Sequence, residues 1–95
     1  MEKIAEHFFY VLECNDGSYY AGYTNDLDRR VHVHNEGKGA KYTRAKLPVH
    51  CIYHETFETQ REAMQAEYRF KQLKRIAKER YIGKEHDSSE ITKKR

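Results

Sequence analysis

The chain has no tryptophan, a single proline and two cysteines among its 95 residues. One proline and five glycines exclude a collagenous or low-complexity chain. Cys14 and Cys51 form no C-x-x-C pair and are too few for a disulfide framework, so reduced thiols in a cytoplasmic protein are expected. No apolar run approaches the roughly 20 residues that a bilayer span requires. The opening Met1-Glu2-Lys3-Ile4-Ala5-Glu6-His7 carries acids and no long apolar region, which argues against a signal peptide. A large excess of one charge is missing as well. The net charge of +3 is only weakly basic, so the distribution of charge says more than its sum.

Aromatic residues supply the bulk for burial, with eight tyrosines and four phenylalanines. A chain of this length supports one domain with one modest core. That domain is expected over residues 1–83. Residues 84–95 contain one aliphatic side chain, Ile91, and read as a polar tail that cannot offset the entropy of ordering itself.

The apolar run Phe8-Phe9-Tyr10-Val11-Leu12 and the run Ser18-Tyr19-Tyr20-Ala21-Gly22 flank Asn15-Asp16-Gly17, the signature of a β-hairpin. A two-residue turn would pair Tyr10 with Tyr23 and send Tyr20 to the opposite face. A three-residue turn with a left-handed Gly17 pairs Leu12 with Tyr20 and Tyr10 with Gly22. Tyr10 and Tyr20 then share a face as diagonal neighbours, about 7–8 Å apart at Cα. Asn-Asp-Gly suits the second register, which is the one expected.

A helix is expected from about Asn25 to Asn35, capped by Asn25, favoured at its start by Asp26 and Asp28, and stopped by Gly37. Leu27, Arg30, Val31 and His34 fall on one of its faces, so Arg30 should project from the edge of the core. Residues 37–46 carry Lys38, Lys41, Arg44 and Lys46 with no acid and read as a flexible, donor-rich loop that includes Tyr42. A third strand follows Pro48, with Val49, Cys51, Tyr53 and Phe57 biased to one side. Thr59-Gln60-Arg61-Glu62 is a capping box that opens one long helix over about residues 60–79. Ala63, Ala66, Phe70, Leu73 and Ala77 form its buried stripe, with Glu67, Lys71, Lys74 and Lys78 along one flank.

Tyr10, Tyr20-Ala21-Gly22, Leu27, Arg30, His34, the Lys38-to-Thr43 segment and Glu67 stand in an order that resembles the GIY-YIG nuclease domain. The resemblance runs from about residue 8 to residue 82 and is closest to small bacterial proteins that consist of little else. It implies an α+β fold, a three-stranded antiparallel sheet flanked by helices. It also implies metal-dependent hydrolysis of DNA phosphodiester bonds, with a non-catalytic nucleic-acid-binding module as the alternative. By position, Tyr10 and Tyr20 match the two motif tyrosines, Arg30 the phosphate-contacting arginine and His34 a position often held by histidine. Glu67 matches the carboxylate that binds one divalent metal ion, Mg²⁺ or Mn²⁺. Phe8-Phe9-Tyr10 stands in place of Gly-Ile-Tyr, Ala21 replaces the middle Ile of the second motif, and Tyr23 stands where some members carry a lysine.

Those roles fit elementary chemistry. A metal ion and a guanidinium aimed at phosphate oxygens stabilise the charge that gathers in the transition state. Mg²⁺ keeps most of its waters and needs only one or two carboxylates, so a lone Glu67 suffices. A tyrosine near pKa 10 is a poor base unless cations lower it, and Arg30, Lys71 and Lys74 are the cations at hand. Taken singly, the same residues have ordinary explanations. Tyrosines pack well on strands, and Glu67 with Lys71 makes a common i,i+4 helix pair. A zinc site from His50, Cys51 and His54 is disfavoured, because strand residues four apart lie about 13 Å from one another.

The expected partner is DNA, branched or damaged, with no membrane role. A protein partner is expected to add specificity. Lys38, Lys41, Tyr42, Arg44 and Lys46, joined by Lys71 and Lys74, form the expected nucleic-acid contact set. If the cations of residues 37–46 neutralise phosphates, log K against log[salt] falls with a slope near −0.9 for each phosphate engaged. A titration over salt concentration measures it, and a flat dependence removes the loop from the interface.

Overall fold

A computed structural model describes residues 6–83 of the chain. The tail expected at 84–95 lies outside the described residues. Strands β1 (His7–Glu13), β2 (Tyr19–Thr24) and β3 (His50–Phe57) form one antiparallel sheet in the order β2-β1-β3. The helices are α1 (Leu27–Asn35), α2 (Lys41–Arg44), α3 (Gln60–Lys71) and α4 (Arg75–Tyr81). The α+β class and the three-stranded antiparallel sheet expected from the sequence are both present.

Strand β1 is central and covered on both faces, which is why it reads as a near-continuous apolar run rather than an alternating one. Phe9, Val11 and Leu12 are fully buried and Tyr10 nearly so. On one face Phe9, Val11 and Ala21 pack with Ala66 and Phe70 of α3. On the other, Tyr10, Leu12, Cys14 and Val49 pack with Tyr20, Leu27 and Val31. The sheet therefore separates α3 from α1.

The β1–β2 register is the one that a three-residue turn dictates. Leu12 pairs with Tyr20 and Tyr10 with Gly22. Gly17 takes φ +85°, and the turn closes through Cys14 N–H to the Ser18 carbonyl at 2.8 Å. Asp16 accepts from the Ser18 amide at 3.0 Å and the Ser18 hydroxyl at 2.6 Å, which pulls its carboxyl down to about 2.

Four expectations need correction. Helix α1 begins at Leu27, and its cap is Asp26, which accepts from the Arg29 amide at 3.3 Å; Asn25 lies outside it. Its end is as expected: Gly37 adopts φ +83°, and Lys38 N–H reaches back to the Val33 carbonyl at 3.1 Å. The stretch 37–46 is not simply a loop, because Lys41–Arg44 makes one helical turn. Strand β3 does not keep Val49, Cys51, Tyr53 and Phe57 on one side. A bulge opposite Val11–Leu12 shifts the register, so Val49 and Cys51 join Tyr10 and Leu12 while Tyr53 and Phe57 pack against the Phe9 face.

The long helix is also broken, between Lys71 and Arg75, although no glycine or proline stands there. Its buried stripe shows why. Ala63, Ala66 and Phe70 are buried as expected, but Tyr81 folds back to within 5.6 Å of Phe70 and 6.2 Å of Phe9, ring centre to ring centre. Its hydroxyl donates to Glu55 at 2.8 Å. A continuous helix would carry Tyr81 about 16 Å beyond Phe70 at 1.5 Å per residue. The aromatic cluster outweighs one turn of helical hydrogen bonds.

Replacing Gly17 by alanine meets no atom within 4 Å, so its cost is the left-handed backbone alone. Gly17→Ala should lower stability by about 1–2 kcal/mol, read from denaturant midpoints. An unchanged midpoint would show that the turn does not hold the register.

Candidate active site

The site grows from the Tyr10–Gly22 pair. A Cβ on Gly22 would sit 2.6 Å from the Tyr10 hydroxyl oxygen, so only glycine lets that phenol lie across β2. Tyr10 is 1 % exposed. Burial, then the neighbouring Tyr20 and Glu67, push its pKa well above the ordinary tyrosine range, while Arg30 opposes them. Residues from β2, α1 and α3 therefore all act on one phenol.

His34 stands in the last turn of α1 and is fully buried. Its Nε2 lies 3.0 Å from the Tyr10 hydroxyl, and its Nδ1 lies 2.9 Å from Thr43 Oγ1 on α2. The turn at Gly37 brings Gly39 against the imidazole, where an added Cβ would fall 2.5 Å from His34 Cγ. Burial and the positive charge of Arg30 lower the His34 pKa, so the ring is neutral near pH 7. Tyr20 meets the same ring edge-on, with centroids 5.2 Å apart, and stacks on Tyr42 at 6.1 Å.

Arg30 is exposed and makes no hydrogen bond or ion pair among the described residues. It is a free guanidinium beside Tyr10 and His34. Glu67 is paired with Lys71 at 2.7 Å, its side chain 18 % exposed against 49 % for the lysine. No group of three or more His, Cys, Asp or Glu forms a cage for a metal among the described residues. That donor set fits a hard divalent cation shared between one carboxylate, water and a substrate phosphate. It does not fit a dedicated all-protein site.

A concavity beside the tyrosines is lined by Tyr19, Tyr20, Ala21, Tyr42, Phe70, Lys71 and Lys78. Lys46 is drawn inward: its Nζ lies 3.3 Å from Asp16, 3.5 Å from the Ser18 hydroxyl and 3.9 Å from the centre of the Tyr42 ring. It clamps the hairpin turn to the end of the basic segment. Lys38, Lys41 and Arg44 are exposed, as is Lys74 at the start of α4, and none has a side-chain hydrogen bond or ion pair among the described residues. Thr43 and Gly39 are the side-chain partner and the gap that sequence reasoning did not single out. Their only signal was their place in the Lys38-to-Thr43 segment of the resemblance.

The family model for the GIY-YIG catalytic domain matches residues 6–81. The chain belongs to the GIY-YIG family. Members of this family are generally metal-dependent nucleases. A UPF0213 protein of Bacillus velezensis is 68% identical over 84 residues, 88% of this chain and 85% of that protein. The UPF0213 protein YazA of Bacillus subtilis is 61% identical over the same shares of the two chains. Among solved structures, the solution NMR structure of the UPF0213 protein BH0048 from Bacillus halodurans matches with a TM-score of 0.55 at 42% identity, covering 92% of this chain and 97% of that one. The solution NMR structure of the E. faecalis protein EF2693 matches with a TM-score of 0.59 at 47% identity, over 98% and 99%. Residues 6–81 thus carry the GIY-YIG fold. No helix among the described residues is long and apolar enough to cross a membrane.

Because folded His34 resists protonation, the unfolded chain binds a proton first as pH falls below about 6.5. Stability should therefore decline from there towards the lower folded pKa and level off above about 6.5. Denaturant midpoints between pH 7.5 and 5 should fall less steeply for His34→Gln than for the parent. Parallel slopes would remove His34 as the source.

Proposed function

We propose that this chain is a metal-dependent DNA endonuclease that hydrolyses phosphodiester bonds in the cytoplasm. The observation that supports it best is the convergence on Tyr10 of Tyr20 from β2, His34 and Arg30 from α1, and Glu67 from α3. A core needs neither an unpaired guanidinium nor a carboxylate at that place.

The residues divide the work by their surroundings. Arg30 offers its charge to the scissile phosphate, where negative charge gathers as the bond breaks. Glu67 would hold the divalent ion, Mg²⁺ or Mn²⁺, which when bound supplies charge stabilisation and a more acidic water. Lys71, paired with Glu67 in the free protein, would be released to a phosphate if the ion took that carboxylate. Tyr10 is closed to water by burial and engaged with His34, so it positions rather than titrates. Tyr20 is half-buried and borders the concavity shared with Lys71 and Lys78, so it takes the proton from the attacking water.

Lys38, Lys41 and Arg44, being free, hold the DNA backbone, with Lys74 on the α4 side. Lys46 contributes mainly by holding Tyr42 against the hairpin. A contact set this small favours branched or damaged DNA, or help from a protein partner. The second reading, a binding module without turnover, draws on the Glu67–Lys71 pair, which occupies the carboxylate in the free protein.

A cleavage panel over duplex, nicked, branched and single-stranded DNA with Mg²⁺ or Mn²⁺ tests both readings. Glu67→Ala should abolish cleavage, and Tyr20→Phe should slow it by about 10²–10⁴-fold while binding persists. Equal cleavage by parent and Glu67→Ala rejects the site. Binding without cleavage by the parent assigns the second reading.

A further inference from the structure

We infer that Thr43 is a positioning residue that sets the tautomer of His34 and, through it, the direction of the Tyr10 hydroxyl. Nothing in the GIY-YIG motif residues requires this role; it follows from counting protons along a buried chain of groups. Tyr10, His34 and Thr43 are 1 %, 0 % and 0 % exposed, so solvent does not choose their protonation pattern.

The Thr43 hydroxyl has one proton and two close partners. One is the Ala40 carbonyl oxygen at 3.2 Å, which can only accept. The other is His34 Nδ1 at 2.9 Å. The Ala40 carbonyl also accepts from the Arg44 amide at 3.0 Å. The order that gives every proton an acceptor sends the Thr43 proton to Ala40 and lets its oxygen accept from a protonated Nδ1. The reverse order leaves the Tyr10 proton without an acceptor among the described residues. A neutral imidazole carries one proton, so Nε2 presents its lone pair to the Tyr10 oxygen 3.0 Å away. Tyr10 must then donate. Tyr10 O–H to His34 Nε2, His34 Nδ1–H to Thr43 Oγ1 and Thr43 O–H to the Ala40 carbonyl make one chain in which every proton has a single place.

The local backbone exists to hold this chain. Helix α2 is one turn long and has no side-chain cap, yet it places Thr43 facing back across α1. The missing side chain at Gly39 lets the loop close over the imidazole, so the ring is packed from the loop side. The consequence for the reaction rests on the endonuclease reading: with the Tyr10 proton committed inward, Tyr20 is the tyrosine left to act as base. The tautomer assignment stands without that reading.

The test uses full-length protein with ¹⁵N-labelled histidine and long-range ¹H–¹⁵N correlation at pH 7.5, assigned with His34→Gln. The parent should show His34 with a protonated Nδ1 and an unprotonated Nε2. Thr43→Ser, which keeps the hydroxyl, should show the same pattern. Thr43→Val, which keeps the shape and loses the acceptor, should shift the ring towards the Nε2–H form. Cleavage by Thr43→Val should fall by about 10–100-fold in kcat, the range for lost supporting contacts, with KM for DNA unchanged and Thr43→Ser restoring it. A parent with Nε2–H, or a Thr43→Val ring unchanged in tautomer, overturns the inference. If Thr43→Val does not fold, the parent and Thr43→Ser spectra decide. A parent that shows the Nδ1–H form but cleaves nothing overturns the endonuclease reading and leaves the proton chain standing.

Discussion

A side chain on residue 22 would occupy the place of the Tyr10 hydroxyl, and the site is organised around that vacancy. The three-residue turn at Asn15-Asp16-Gly17 sets the register that puts Gly22 opposite Tyr10. With that opening the phenol extends across β2 to meet His34, and Tyr20 lies beside it on the same face. Were the register one residue different, Tyr20 would turn to the α3 face and the two tyrosines would be separated by the sheet. Everything later in the chain that touches the site presupposes this pairing.

Around the buried phenol, charge is arranged by depth. The innermost groups, Tyr10, His34 and Thr43, are neutral and satisfied by one another, which is how polar atoms are held inside a small core. The charged groups, Arg30 and the Glu67–Lys71 pair, stand further out, where solvent offsets the cost of their charge. A neutral interior and a charged rim let one end of the sheet present a guanidinium, a carboxylate and an open tyrosine without burying an unpaired ion.

Much of this was legible from the residues in order. The hairpin register followed from turn chemistry, since Asp16 and Gly17 suit one loop length. The pairing of Glu67 with Lys71 followed from helical spacing. The faces of β3, the break after Lys71 and the turn of helix at Lys41–Arg44 were not legible, because each is set by contacts with distant parts of the chain. The bulge at Ile52 answers to both faces of β1, the break after Lys71 to Phe9 and Tyr53, and α2 to a histidine on another helix. Lys46 is a further case. Its sequence neighbours are cations, but its partner Asp16 lies across the hairpin turn, so a residue that reads as a phosphate contact serves as a clamp.

By itself the sequence determined the α+β class, the hairpin register and the start of α3. These depend on local backbone preference and on periodicity, which act over a few residues. Tertiary structure alone decided which tyrosine is closed to water, where the proton of Tyr10 points, which lysine is free and where the last helix turns back. Those outcomes depend on burial and on hydrogen-bond partners 9 to 28 residues away. A pattern along the chain carries no measure of either.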